Sequence, residues 1–129
     1  MLRKFKIFFN KGNSLVVDKI ERSDFFFLKR IYQDKKIRLL TSGKSMWPTI
    51  KEGQIIIVEV VASQKLNLQI RKNDTIAFYA KLEKKIIAHR VIDKRKKGNI
   101  FYYQTKGDNI KSKDLVIVSS KYILGKVLI

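Results

Sequence analysis

The chain has no cysteine and, in 129 residues, one histidine (His89), one proline (Pro48) and one tryptophan (Trp47). Without cysteine there is no disulfide scaffold, no thiolate zinc site and no thiol nucleophile. A single histidine excludes a zinc centre built on several imidazoles. One proline and six glycines exclude collagen-like and proline-rich chains. Acidic residues are scarce too: 11 Asp and Glu face 29 Lys and Arg, giving a formal charge of +18. No apolar run approaches the roughly 18 residues needed to span a bilayer. The longest β-branched stretch, Ile55 to Ala62, is interrupted by Glu59. The N-terminus mixes Lys and Arg with Phe and Ile and has no apolar block leading to a small-residue cleavage site. No signal peptide is therefore expected, and the expected location is cytoplasmic, with a peripheral membrane contact left open.

What is present is enough for a core. The chain is 45% hydrophobic, with eight Phe and five Tyr, and one domain over residues 1–129 is expected. The cationic surplus suits an anionic partner such as a membrane surface or nucleic acid. The lysines are dispersed, however, and only Lys94–Lys97 form a compact basic run. That dispersion makes a solvated surface the simpler reading and nucleic acid an unlikely partner.

Residues 1–36 read as an N-terminal extension. Phe5, Ile7 and Phe9 alternate with polar residues as in a strand, and 10–14 is a turn. Ser23-Asp24 suits the start of a short helix carrying Phe27, Leu28, Ile31 and Tyr32, but the three consecutive Phe at 25–27 fit a buried strand equally well. From residue 37 the pattern is β. Strands are expected at 37–40, 54–61, 75–80, 86–92, 100–105, 115–118 and 122–128, with 94–99 a basic turn. Short strands at this spacing indicate a mostly β fold, an antiparallel sandwich or barrel.

Polar clusters punctuate the ends of these strands: Ser42–Thr49, Asn73-Asp74, Ala88-His89-Arg90, Thr105–Asp108 and Asp114. A serine becomes a nucleophile when a base takes its proton, and the base works best when a third group orients it. His89 is the sole imidazole for that task. Composition by itself leaves open which serine and which carboxylate would join it.

The order of the clusters resembles the superfamily of serine peptidases that joins type I signal peptidases with LexA-type self-cleaving repressors. The matching blocks are Gly43-Lys-Ser45-Met46-Trp-Pro48-Thr49, Asn73-Asp74-Thr-Ile76, Ala88-His89-Arg90-Val91, Thr105-Lys-Gly107-Asp108-Asn109 with Asp114, and Ile123-Leu-Gly-Lys-Val127. The resemblance covers roughly residues 37–129. It implies a coiled antiparallel β-sheet and a peptidase core there. It makes Ser45 the nucleophile and His89 the base, as in the archaeal and endoplasmic-reticulum branch, where other members use lysine. It makes Asp114 the triad acid and Asp108 a second catalytic-site carboxylate, more a shaper of its loop than the acid. The Ser45 amide would serve the oxyanion hole, and Met46, Gly43 and Ser42 would line the substrate site. No cofactor or metal is implied.

The chain departs from the family pattern in three ways. Gly53-Gln54 and Asn73-Asp74 stand where Gly-Asp pairs are usual, and Gly43 stands where many members have an assisting hydroxyl, Ser42 being the nearest. No run in these 129 residues suits the membrane anchor typical of signal peptidases, so a member without an anchor is expected. The expected function is a soluble serine endopeptidase that removes a leader or signal-like segment from a peptide or preprotein. The alternatives are a signal peptidase held at the membrane by a partner, and a LexA-like or non-catalytic binding module.

Overall fold

The computed structural model describes residues 7–10, 14–17 and 19–129. Residues 4–6 of the expected first strand and 11–13 of the expected turn lie outside them. The strands are β1 (Ile7–Asn10), β2 (Ser14–Val17), β3 (Lys36–Leu40), β4 (Ile55–Val60), β5 (Thr75–Ala80), β6 (Lys85–Lys97), β7 (Ile100–Lys106), β8 (Val118–Ser119) and β9 (Ile123–Leu128). One ten-residue helix, α1 (Arg22–Ile31), lies between β2 and β3. The mostly β expectation is met. All strands join one sheet in the order β1-β2-β3-β4-β9-β5-β6-β7-β8, open at both ends rather than closed into a barrel. Every neighbouring pair is antiparallel except β2 and β3, which meet in parallel at Leu15 and Leu39.

Strand β9 is the seam of this sheet. It pairs with β4 through Val58 and Val127, and with β5 through Ile76 and Lys126. Gly125 lies opposite both Val60 and Ala77. A Cβ there would fall 1.9 Å from the Glu59 carbonyl oxygen, so no side chain fits where β9 crosses between its partners. The core runs along this seam, with Val58, Val60, Ile76, Ile123 and Leu124 fully buried. Each such side chain contributes about 1.5–3 kcal/mol of burial.

Helix α1 starts at Arg22, with Glu21 at its N-cap, so Ser23 and Asp24 fall in the first turn instead of capping it. Its buried residues are Asp24, Phe25, Leu28 and Lys29, whereas Ile31 is exposed. Phe25 stacks on Tyr79 at 5.0 Å between ring centroids. Lys29 is buried and donates to Ser63 Oγ at 2.6 Å, with the Ser120 and Lys121 carbonyls at 3.4 Å. Burial lowers its pKa to about 8.

Three local expectations differ from the structure. The basic run Lys94–Lys97 belongs to β6, because it pairs with Ile100–Tyr103. Stacking of Lys94 over Phe101 at 5.1 Å helps lysines fill a strand. The expected strand 115–118 shrinks to Val118–Ser119, leaving Leu115, Val116 and Ile117 exposed. A 3-10 turn (Ser63–Lys65) and a short helix, α2 (Leu66–Gln69), occupy a stretch whose pattern gave no assignment. Among the described residues, no helix is long and apolar enough to cross a membrane.

Candidate active site

The loop between β3 and β4 carries Ser45 and is tied at several points. Trp47 N–H donates to the Lys44 carbonyl, and Ile50 N–H to that of Met46. The Trp47-Pro48 peptide is cis. Met46 and Ile50 are buried and anchor the loop on the sheet, while Trp47 is half exposed. The loop between β7 and β8 meets it: Asn109 N–H donates to the Ser45 carbonyl at 2.8 Å, and the Asn109 side chain to the Lys44 carbonyl at 3.0 Å. Gly107 permits this approach. A Cβ on it would lie 2.7 Å from the Ser45 carbonyl oxygen and 3.2 Å from His89 Nε2.

His89 projects from β6 and is buried, with the Phe78 ring edge-on at 6.1 Å. Its Nε2 lies 3.0 Å from Ser45 Oγ, and its Nδ1 lies 2.6 Å from Asp114 Oδ2. Thr105 Oγ1 donates to the same Asp114 oxygen at 2.5 Å. Gln104 Nε2 donates to the Asp114 carbonyl at 2.7 Å, and Asp114 N–H to the Thr105 carbonyl at 2.8 Å. Burial would raise the Asp114 carboxyl, but the bonds from His89 and Thr105 and the nearby Lys106 charge outweigh it and hold the pKa below normal. An ionised Asp114 can only accept, so Nδ1 carries the imidazole proton and Nε2 is left to accept from Ser45. Among the described residues, the Ser45 N–H has no carbonyl partner.

Asp108 faces elsewhere. Arg90 grips it with Nε and Nη2, each at 2.8 Å, and Thr49 Oγ1 donates to it at 2.6 Å. Arg90 Nη1 also holds the Asn73 carbonyl at 2.7 Å. The bond from Arg90 holds the Asp108 carboxyl below its usual range, against the opposing effect of burial, with Thr49 adding to it. His89 and Arg90, being consecutive, point to opposite faces of β6. The 107–114 loop reaches both, offering Asp114 to one and Asp108 to the other. Asn73 takes the left-handed turn at φ 78°, which asparagine tolerates, so the missing glycine there costs little.

A cleft of about 420 Å³ opens beside Ser45 and His89. Ser42, Gly43 and Met46 line it, together with Leu39 and Leu40 of β3 and Ile86 to Ala88 of β6. On β6, residues 85–89 pair with β5, while the ladder to β7 starts only at Arg90. One edge of that segment is therefore free beside the cleft. Sequence reasoning assigned no role to Thr105, Gln104, Thr49 or Asn109. Thr105 had one usable signal: two residues after Tyr103, it shares that residue's face of β7, where both are buried.

Such an arrangement can move a proton from Ser45 to His89 while Asp114 offsets the charge formed on the ring. It has an amide free to meet a developing oxyanion. Among the described residues, no cluster of His, Asp and Glu could hold a metal ion.

No family model matches the chain. It is similar to signal peptidase I W of Bacillus subtilis (strain 168), with 30% identity over 87 residues. The match covers 67% of this chain and 43% of that protein, so the chain spans less than half of that relative's length.

Proposed function

We propose that this chain is a serine endopeptidase that removes a leader or signal-like segment from a peptide or preprotein. One observation carries the proposal: Ser45, His89 and Asp114 form a continuous hydrogen-bonded chain at the mouth of a mostly apolar cleft. The likeness to a signal peptidase supports the substrate class.

The substrate lies extended along the free edge of Ile86–Ala88 and adds a strand there, so backbone hydrogen bonds hold it without regard to sequence. Its side chains meet Leu39, Met46 and Ala88, which favours small or aliphatic residues ahead of the cut. Ser45 Oγ attacks the carbonyl carbon as its proton passes to His89 Nε2. The carbonyl oxygen becomes an oxyanion beside the Ser45 N–H. The C–N bond then breaks, and His89 gives its proton to the departing amine. Water enters, His89 takes a proton from it, and the resulting hydroxide attacks the acyl-serine. Collapse releases the acid and returns the proton to Ser45. Asp108 acts as a positioning residue, because its carboxylate is engaged by Arg90 and Thr49 rather than by His89.

A fluorophosphonate probe tests this without a known substrate. The expected label sits on Ser45 and disappears in Ser45→Ala. By analogy with other triads, Asp114→Asn slows labelling about 10⁴-fold. Undiminished labelling of Ser45→Ala would remove the nucleophile assignment.

A further inference from the structure

A second groove, of about 480 Å³, adjoins the segment that carries Asp114 but uses none of the three triad side chains. A bulge between Val91 and Asp93 shifts the register of β6, and beyond it Asp93 faces Gln104 and Arg95 faces Tyr102 across the ladder. These four side chains form one wall. Lys72, from the turn before β5, and Lys113, from the loop after β7, line it too. Three cations from three parts of the chain thus converge. The one carboxylate, Asp93, is already neutralised by Arg95 Nε at 2.8 Å. The bonds from Arg95 and from the Lys94 amide hold its pKa below the usual value, so it stays ionised and paired. Two cationic charges remain without a counter-charge in the groove, beside the donors of Tyr102 and the Arg95 Nη groups.

We propose that this groove binds a phosphate group. Phosphate offers several acceptor oxygens and up to two charges, which matches a guanidinium fork flanked by two ammonium groups. The aliphatic residues next to it indicate the source. Leu115 is fully exposed, Val116 and Ile117 are about half exposed, and all three directly follow the Lys113-Asp114 pair. A free phosphate has no use for them. A phospholipid does, because its headgroup would meet the cations while the side chains enter the acyl boundary.

The test uses the full chain carrying Ser45→Ala, so that binding is read whether or not the protein is a peptidase. Co-sedimentation is measured with vesicles of phosphatidylcholine with and without phosphatidylglycerol. Glycerol phosphate is titrated separately against chloride at equal ionic strength. The phosphatidylglycerol vesicles are expected to bind. Lys72→Glu with Lys113→Glu should lower that binding at least about tenfold. A pair remote from the groove, Lys36→Glu with Lys51→Glu, carries the same change in charge and should lower it much less. Equal losses from the two pairs would reduce the effect to overall charge and overturn the site, as would an absence of binding to both vesicles and glycerol phosphate. Leu115→Ser with Ile117→Ser should weaken vesicle binding and spare glycerol phosphate, which identifies a lipid. If that variant binds vesicles normally and glycerol phosphate still binds, the phosphate site stands and its ligand is a free phosphate compound.

Discussion

Gly107 shows how little room the site has. Its missing side chain lets the loop after β7 pass against the Ser45 carbonyl and the His89 ring. Gly107→Ala should push these apart, lowering turnover about 10²-fold. Overpacking should cost about 1–3 kcal/mol, read by urea unfolding. Asp108 gives a second prediction at this scale. Its folded pKa lies below normal, so its bonds to Arg90 and Thr49 stabilise the protein above the ordinary carboxylate pKa of about 4. That contribution disappears as pH falls further and the folded carboxyl takes its proton. Trp47, next to Ser45, is the reporter. Its fluorescence should change in acid in the wild type, while Asp108→Asn should show the loosened signal at neutral pH. An identical acid transition in both would contradict this role. Ser45, His89 and Asp114, which lie within hydrogen-bond reach of one another, each sit in a recognisable block of the sequence. Their supports were not, because Thr105, Gln104 and Asn109 act through hydrogen bonds made only after distant segments meet.

Among elements, α1 carries the clearest prediction. Lys29 is buried with hydroxyl and carbonyl partners, and burial lowers its pKa to about 8. Its charged form is therefore penalised in the folded state, and stability should rise as pH climbs from 8 towards the unfolded value of about 10.4. Linkage gives a gain of about 2 kcal/mol between pH 7 and 9.5 relative to Lys29→Met, read by urea unfolding at each pH. A constant difference between the two proteins would refute it. The helix was one of two readings of residues 23–32, the other being a buried strand, and its buried face was not legible. Helical periodicity places Ile31 with Leu28, whereas contact with Tyr79 turns Phe25 inward and brings a lysine with it. The strands at 37–40, 75–80 and 100–105 were legible from β-branched and aromatic residues bounded by turns. The reach of β6 through Lys94–Lys97 was not, because cross-strand pairing with Phe101 and Tyr102 overrode four consecutive cations.

At the scale of the whole molecule, the +18 charge sets the response to salt. Eleven Asp and Glu cannot neutralise 29 Lys and Arg, however they pair. Most cations therefore repel one another across the surface. Raising ionic strength from about 0.01 to 0.15 M shortens the Debye length from about 30 to 8 Å and should raise the melting temperature. A fall would mean that attractive pairs outweigh the repulsion. The mostly β class was legible from strand spacing, but the open sheet was not, since closure depends on long-range pairing that a local pattern does not record.

The seam at β9 has a consequence for timing. Ser45 hangs from the β3–β4 half of the sheet and His89 from the β5–β6 half, and β9 is the strand that pairs with both. A nascent chain holds Ser45, His89 and Asp114 by residue 114, yet β9 can align the two halves only once residues 123–128 have left the ribosome. The hydrogen-bonded chain of these three side chains is thus assembled late in synthesis, and a chain cut short before Ile123 would carry all three without the strand that aligns them.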